Sequence, residues 1–270
     1  MKNMLLFTGI LVGSLAARSQ SVKVPAGKKM LVISSSKTNM TMSAMGQDVD
    51  MVSSNTSTTD YEITAVTEKG YSLLTKLVRT EASYAGAGAE KTFDTDKESD
   101  RNDPMLAGVV ALIGKPSEIL VEDRKASVVS GEVLNNPMMV QMGMKDNMTE
   151  ILKFILYKTD LDKFTKGTKW VDSTRNNELF LLAESEVTGI TESEIQLSIK
   201  TTMDIHATIQ QMGMEGKTNV KGLINSKRWY NRNTGLLIRE ESNGTAEGET
   251  VVLDQRIPMQ MKIQSTQIVQ

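Results

Sequence analysis

Apolar and polar residues alternate through most of this chain, and the alternation is clearest at residues 202–214. There Met203, Ile205, Ala207 and Ile209 alternate with Asp204, His206, Thr208 and Gln210. A period of two gives an extended strand one apolar and one polar face. The phase then flips, so that Met212 and Met214 carry the apolar face onward, as a β-bulge would make it do. Residues 39–51 fall on this stretch without a gap. Met40 meets Met203, Met42 meets Ile205, Ala44 meets Ala207, Gln47 meets Gln210, Val49 meets Met212 and Met51 meets Met214. The pattern predicts two β lobes, each with a methionine-rich strand. Duplication would produce it, and so would the chance likeness of two alternating strands.

Further strands are predicted at 28–34, 71–83, 178–186, 194–200, 220–230, 236–242, 251–257 and 260–268, parted by polar turns such as 231–235 and 243–248. Strand following strand across turns implies an antiparallel meander. The period changes at Asp103. Asp103 can cap a helix, Pro104 suits its first turn, residues 105–113 are mostly apolar and Gly114 suits its end. Two short strands, 118–122 and 126–130, follow. Asn136-Pro137 then opens a methionine-rich helical stretch, and Asn147 with Glu150 forms a capping-box pattern before a helix predicted over 148–158. The expected fold is mainly β (α+β). It is an antiparallel curved sheet or open barrel with lobes at 20–103 and 165–270 and a helical insertion at 104–164, together one continuous domain.

The first residues carry a different signal. Lys2, an apolar run over 4–12 and small residues ending in Ala17-Arg18-Ser19 have the order of a secretory signal peptide, with cleavage expected near Ser19. The run is far short of the roughly 20 apolar residues that span a bilayer. The chain is therefore expected to be exported, to the periplasm or outside the cell. Removing Lys2 and Arg18 takes the formal charge from −2 to −4, and no basic patch offers itself to nucleic acid. With no cysteine there is no disulfide, thiolate metal site or cysteine nucleophile. Aromatic residues are only 4% of the chain, which counts against stacking platforms, whereas the 18 methionines are clustered.

Catalytic patterns are weak. His206, the only histidine, lies on the polar side of its strand, and no G-x-S-x-G elbow supports a triad. Ser34 to Lys37 matches S-x-x-K, but Ser34 ends an apolar strand rather than starting a helix. Asp94, Asp96, Glu98 and Asp100 could offer oxygens to calcium, yet Ser99 stands where an EF-hand needs glycine and Met105 where it needs glutamate. Met138, Met139, Met142, Met144 and Met148, with a second group at Met40, Met42 and Met45, could supply thioethers to Cu(I). Methionine also lines surfaces that adapt to varied apolar partners, and it fills ordinary cores.

Ala26-Gly27-Lys28-Lys29, the M-x-x-M-G-Q run over 42–47, the central hairpin, Gly167-Thr168-Lys169-Trp170 and Thr234-Gly235-Leu236 together resemble an uncharacterised family of secreted Bacteroidetes-type proteins. Met30 stands where that family carries an aromatic residue. The resemblance implies export and a β-rich fold, with no assigned activity. More distantly, a curved antiparallel sheet with a helical cover is similar to periplasmic lipoprotein carriers, a likeness of fold that does not fix function.

The function these readings predict is a non-enzymatic exported protein, without cofactor or metal, that holds an apolar, lipid-like ligand between sheet and helices. Met42, Met142, Ile151, Ile155 and Ile205 are the expected lining. The alternatives are a cell-envelope structural or interaction module, then a periplasmic Cu(I) protein, and last a hydrolase.

Overall fold

A computed structural model describes residues 22–44, 46–86, 88–103, 107–123, 125–132, 151–156, 161–175, 178–211 and 214–270. The segment expected to be a signal peptide, Met142 and the rest of the stretch 133–150 lie outside the described residues. Six strands precede that stretch: β1 (Lys29–Ala44), β2 (Gln47–Val66), β3 (Gly70–Gly86), β4 (Ala89–Asp94), β5 (Pro116–Glu122) and β6 (Lys125–Ser130). Two single-turn helices, α1 (Glu98–Arg101) and α2 (Ala107–Val110), lie between β4 and β5. After it come β7 (Lys169–Arg175), β8 (Leu179–Ile190), β9 (Glu194–Gln211), β10 (Met214–Asn231), β11 (Leu237–Val252) and β12 (Gln255–Val269).

The twelve strands of the described residues belong to one antiparallel sheet in the order β6-β5-β3-β2-β1-β12-β11-β10-β9-β8-β7, with β4 also on β3. The first and last strands pair at its centre, from Val32 opposite Val269 to Met42 opposite Met259. The mainly β, antiparallel, curved-sheet expectation is therefore met. The strands up to residue 130 make one half of this sheet and those from residue 169 the other, joined by that central ladder.

The phase flip has a different cause from the bulge it suggested. The β9–β10 ladder runs to Gln211 opposite Met214, and the β1–β2 ladder runs to Ala44 opposite Gln47. Each alternating stretch is thus the tip of a hairpin, where the chain turns back and inner-face positions change parity. True bulges lie elsewhere. The β10–β11 register shifts between Trp229 and Tyr230, so Ile238 is the extra residue, and Leu237 and Glu240 both face inward. In β3, Val78 plays the same part, leaving Leu77 and Thr80 on one face.

Within the predicted helical insertion, the central hairpin is an extension of the sheet, with β5 on β3 and β6 on β5. The helix expected over 148–158 also ends early. Ile151 and Leu152 are helical, the chain turns at Lys153 and Phe154, and Ile155 bridges Leu236. Backbone bonds from Leu156 N–H to the Gly235 carbonyl and from Leu237 N–H to the Phe154 carbonyl hold this segment extended. They offer residues 154–156 partners outside a helix.

One face of the sheet is polar and wet, while the other carries the core. At one end of that inner face, residues 151–156 act as a plug. Ile151, Phe154 and Ile155 are buried against Tyr61, Ile63, Tyr71 and Leu73 from one half and Leu197, Tyr230 and Leu237 from the other. Strands far apart in the order share this cluster, which requires the sheet to curl around the plug. The Tyr230 hydroxyl donates to the Lys153 carbonyl at 2.9 Å, and the Tyr71 hydroxyl donates to the Ile151 carbonyl at 3.4 Å. Ile151→Ala is expected to lower stability by about 2–5 kcal/mol, the range for truncating a buried aliphatic side chain. Val171→Ala, at an exposed site on the edge strand β7, should stay within about 0.5 kcal/mol. Chemical denaturation of both variants checks the contrast.

Candidate functional site

The inner face beyond the plug divides into two bands that follow from register alone, because residues opposite one another in an antiparallel ladder point to the same side. Nearest the plug is a polar band of two rows. One row runs Ser57, Ser34, Gln267, Glu240, Arg228 and the next runs Asn55, Ser36, Ser265, Ser242, Ser226. Further out is a methionine band. Its first row crosses six strands as Met51, Met40, Met261, Ala246, Gly222, Met203. Its second row is Val49, Met42, Met259, Gly248, Val220, Ile205.

Most of the polar band is buried, and its charged groups lie against one another. Lys153 reaches from the plug to Glu240, both nearly inaccessible, and Glu240 also accepts from Arg228 Nε at 3.2 Å and Ser242 Oγ at 3.1 Å. Ser226 and Ser242 share a hydrogen bond of 2.8 Å, and Gln267 Nε2 donates to Ser34 Oγ at 2.9 Å. Burial pushes the Tyr230 hydroxyl up to about 12, with the Arg228 charge opposing the rise and the Glu240 charge adding to it.

The methionine band is a second apolar cluster, separate from the plug core. Met203, Val220, Ala246 and Met259 are buried, and Met42, Ile205, Ile224, Leu181 and Met261 pack against them half-buried. The missing side chain at Gly222 gives Met203 room to lie across β10, since a Cβ there would sit 2.5 Å from its methyl carbon. Gly248 serves the backbone instead, because a Cβ would come within 2.0 Å of the Asn219 carbonyl oxygen.

Of the expected lining residues, Met42 and Ile205 come together in one row of this band. Ile151 and Ile155 are in the plug core, parted from them by the polar band. Met142 lies outside the described residues, as do the methionines at 138, 139, 144 and 148. The polar band itself escaped sequence reasoning. Its signal was hydrophilic residues at every second position, as in Ser34 and Ser36 or Glu240 and Ser242, which look solvent-facing when each strand is read alone.

The weak catalytic patterns do not assemble. Ser34 faces inward and accepts from Gln267, whereas Lys37 is an odd position on the outer face of the same strand. His206 is on the outer face, 2.8 Å from Asn219 Oδ1 and 3.0 Å from Asp204 Oδ1. The acidic loop serves Arg79. Asp94 accepts both a 3.1 Å and a 2.9 Å bond from its guanidinium, and Asp96 lies 3.0 Å from Nε. The hydrogen bond from Arg79 holds the Asp94 carboxyl down at about 2. A cavity of about 300 Å³ lies beside β3 and β4, lined by polar residues including Ser54, Thr56, Arg79, Glu81 and Lys97. Among the described residues, no group of three or more histidine or acidic side chains could hold a metal ion. None of the described helices is long and apolar enough to cross a membrane.

No family model and no curated protein matches the chain. Among solved structures, lipovitellin, from a study of its lipid–protein interactions, is similar over 91% of this chain at 9% identity and a TM-score of 0.49. This chain spans 25% of the lipovitellin chain. An outer membrane channel from Pseudomonas putida is similar over 93% of this chain and 98% of its own, at 8% identity and a TM-score of 0.28. Likenesses this distant transfer neither ligand nor site.

Two outcomes are expected of the buried network. Glu240→Gln should cost about 3–5 kcal/mol by leaving Lys153 and Arg228 without their carboxylate, and adding Lys153→Met should recover part of that loss. Because the folded Tyr230 value lies above the ordinary 10.0, its contribution is fully present below pH 10 and is lost as pH rises towards about 12. Denaturation series from pH 9 to 12 should show this decline reduced in Tyr230→Phe.

Proposed function

We propose that the protein is an exported, non-enzymatic carrier that holds the acyl chain of a lipid-like molecule along the methionine band. The single observation that carries the reading is the row Met51, Met40, Met261, Ala246, Gly222, Met203, a continuous apolar track over six strands. Its outer members are only half-buried, so apolar surface is left in reach of a ligand. Desolvating that surface would drive binding, and flexible thioether side chains can follow chains of different shape. Relative to the sequence expectation, Met42 and Ile205 remain in the lining, Met40, Met203, Met259 and Met261 join them, and Ile151 and Ile155 become structural. Export rests on the order of basic, apolar and small residues over 1–19.

Met261→Glu would place a carboxylate in the middle of the track. It should weaken a fluorescent long-chain fatty-acid probe at least tenfold, about 1.4 kcal/mol. Lys262→Glu, one residue on and facing water, should leave the probe unaffected. Equal binding by both variants and the parent would sink the carrier reading. Saturable Cu(I) binding without any lipid uptake would put the thioethers to the metal use instead.

A further inference from the structure

The polar band separates the plug core from the methionine rows, and two of its side chains are incompletely matched. Asn55 and Gln267 are 7% and 4% exposed, and neither Asn55 Oδ1 nor Gln267 Oε1 has a hydrogen-bond partner among the described residues. Buried amide oxygens are nearly always paired, so each such exception calls for an account. The two residues flank β1 from opposite sides, Asn55 on β2 opposite Ser36 and Gln267 on β12 opposite Ser34. Both belong to inner-face positions, a few residues from the methionine track on the same strands.

We propose that this pair of amides receives the uncharged, hydroxylated head of a single-chain lipid whose acyl chain runs out along the methionine band. The proposal rests on the acyl-binding reading above and specifies the head it selects. Charge narrows the choice. Lys153 and Arg228 both lie against Glu240 beside these rows. An ammonium head would be brought close to those two cations. A phosphate or free carboxylate would confront two amide oxygens with further acceptors.

A hydroxyl can donate to each open amide oxygen, which neither a phosphate dianion nor a carboxylate can do. Two strand spacings across and two residues along β1 set the backbones of Asn55 and Gln267 about 12 Å apart. A hydroxyl about 2.8 Å from each amide oxygen would complete it. From Ser36 to Met42 is about 20 Å of strand, which gives an extended chain its length.

The test compares 1-monooleoylglycerol with oleate on the full chain, below the concentrations at which either aggregates. Monooleoylglycerol is expected to bind at least tenfold more tightly. The double variant Asn55→Leu with Gln267→Leu should abolish that preference while oleate affinity stays within twofold and thermal stability does not fall. Side-chain amide resonances of Asn55 and Gln267 in the unsubstituted protein provide a readout independent of the variant's folding. They should shift with monooleoylglycerol and hold still with oleate. Equal affinity for the two lipids, a preference that survives the double substitution, or unmoved amide resonances would each overturn the head-group assignment while leaving the carrier standing. Binding of neither lipid would overturn both.

Discussion

A large antiparallel sheet in water can leave one face wet, but the other must be covered or it will seek a partner. In this protein the plug at residues 151–156 meets that requirement over one end. It places Ile151, Phe154 and Ile155 against side chains from both halves of the sheet and pairs its backbone with Gly235 and Leu237. The Lys153–Glu240 pair fixes its position along the face. A buried ion pair contributes little net stability over an apolar pair, yet breaking it is costly, so its effect is to specify one seating of the plug. Every other feature of the inner face is arranged outward from that contact.

Beyond the plug, the sheet alternates chemistry by row. Serine, asparagine and glutamine lie in the rows nearest Lys153, and methionine, glycine and alanine in the rows further out. Bulky groups could not share a concave face without collision. Gly222 accommodates Met203, and Gly248 allows β10 and β11 to approach closely. The result is amphipathic along the strand axis rather than only across the sheet, which suits a ligand that is itself polar at one end.

Much of the architecture could be read from alternation because one sheet face is wet along nearly its whole length. The strands after residue 178, the central hairpin and the outward-facing His206 were legible for that reason. Three features were not. The ladders that end at Ala44 opposite Gln47 and at Gln211 opposite Met214 change strand there, and an ungapped reading cannot tell such a reversal from a bulge. The run Ser34-Ser35-Ser36-Lys37 hid the middle of β1, since its inward positions are hydrophilic and the period of two disappears. The plug reads as an amphipathic helix through residue 158, but tertiary pairing with residues 235–237 overrides that local pattern. Of the candidate site, Met42 and Ile205 were visible as alternating apolar positions. The Asn55 and Gln267 pair was invisible, because only the register brings residues so far apart in sequence to either side of β1.

Methionine oxidation tests the central claim most directly, since peroxide converts an accessible thioether to a sulfoxide and peptide mass spectrometry reports each site. If the outer rows hold an acyl chain, saturating lipid should slow sulfoxide formation at Met40, Met42, Met51 and Met261 together, while Met30, buried in the plug core, stays slow with or without lipid. Unchanged rates across those four residues, with lipid demonstrably bound, would contradict the account.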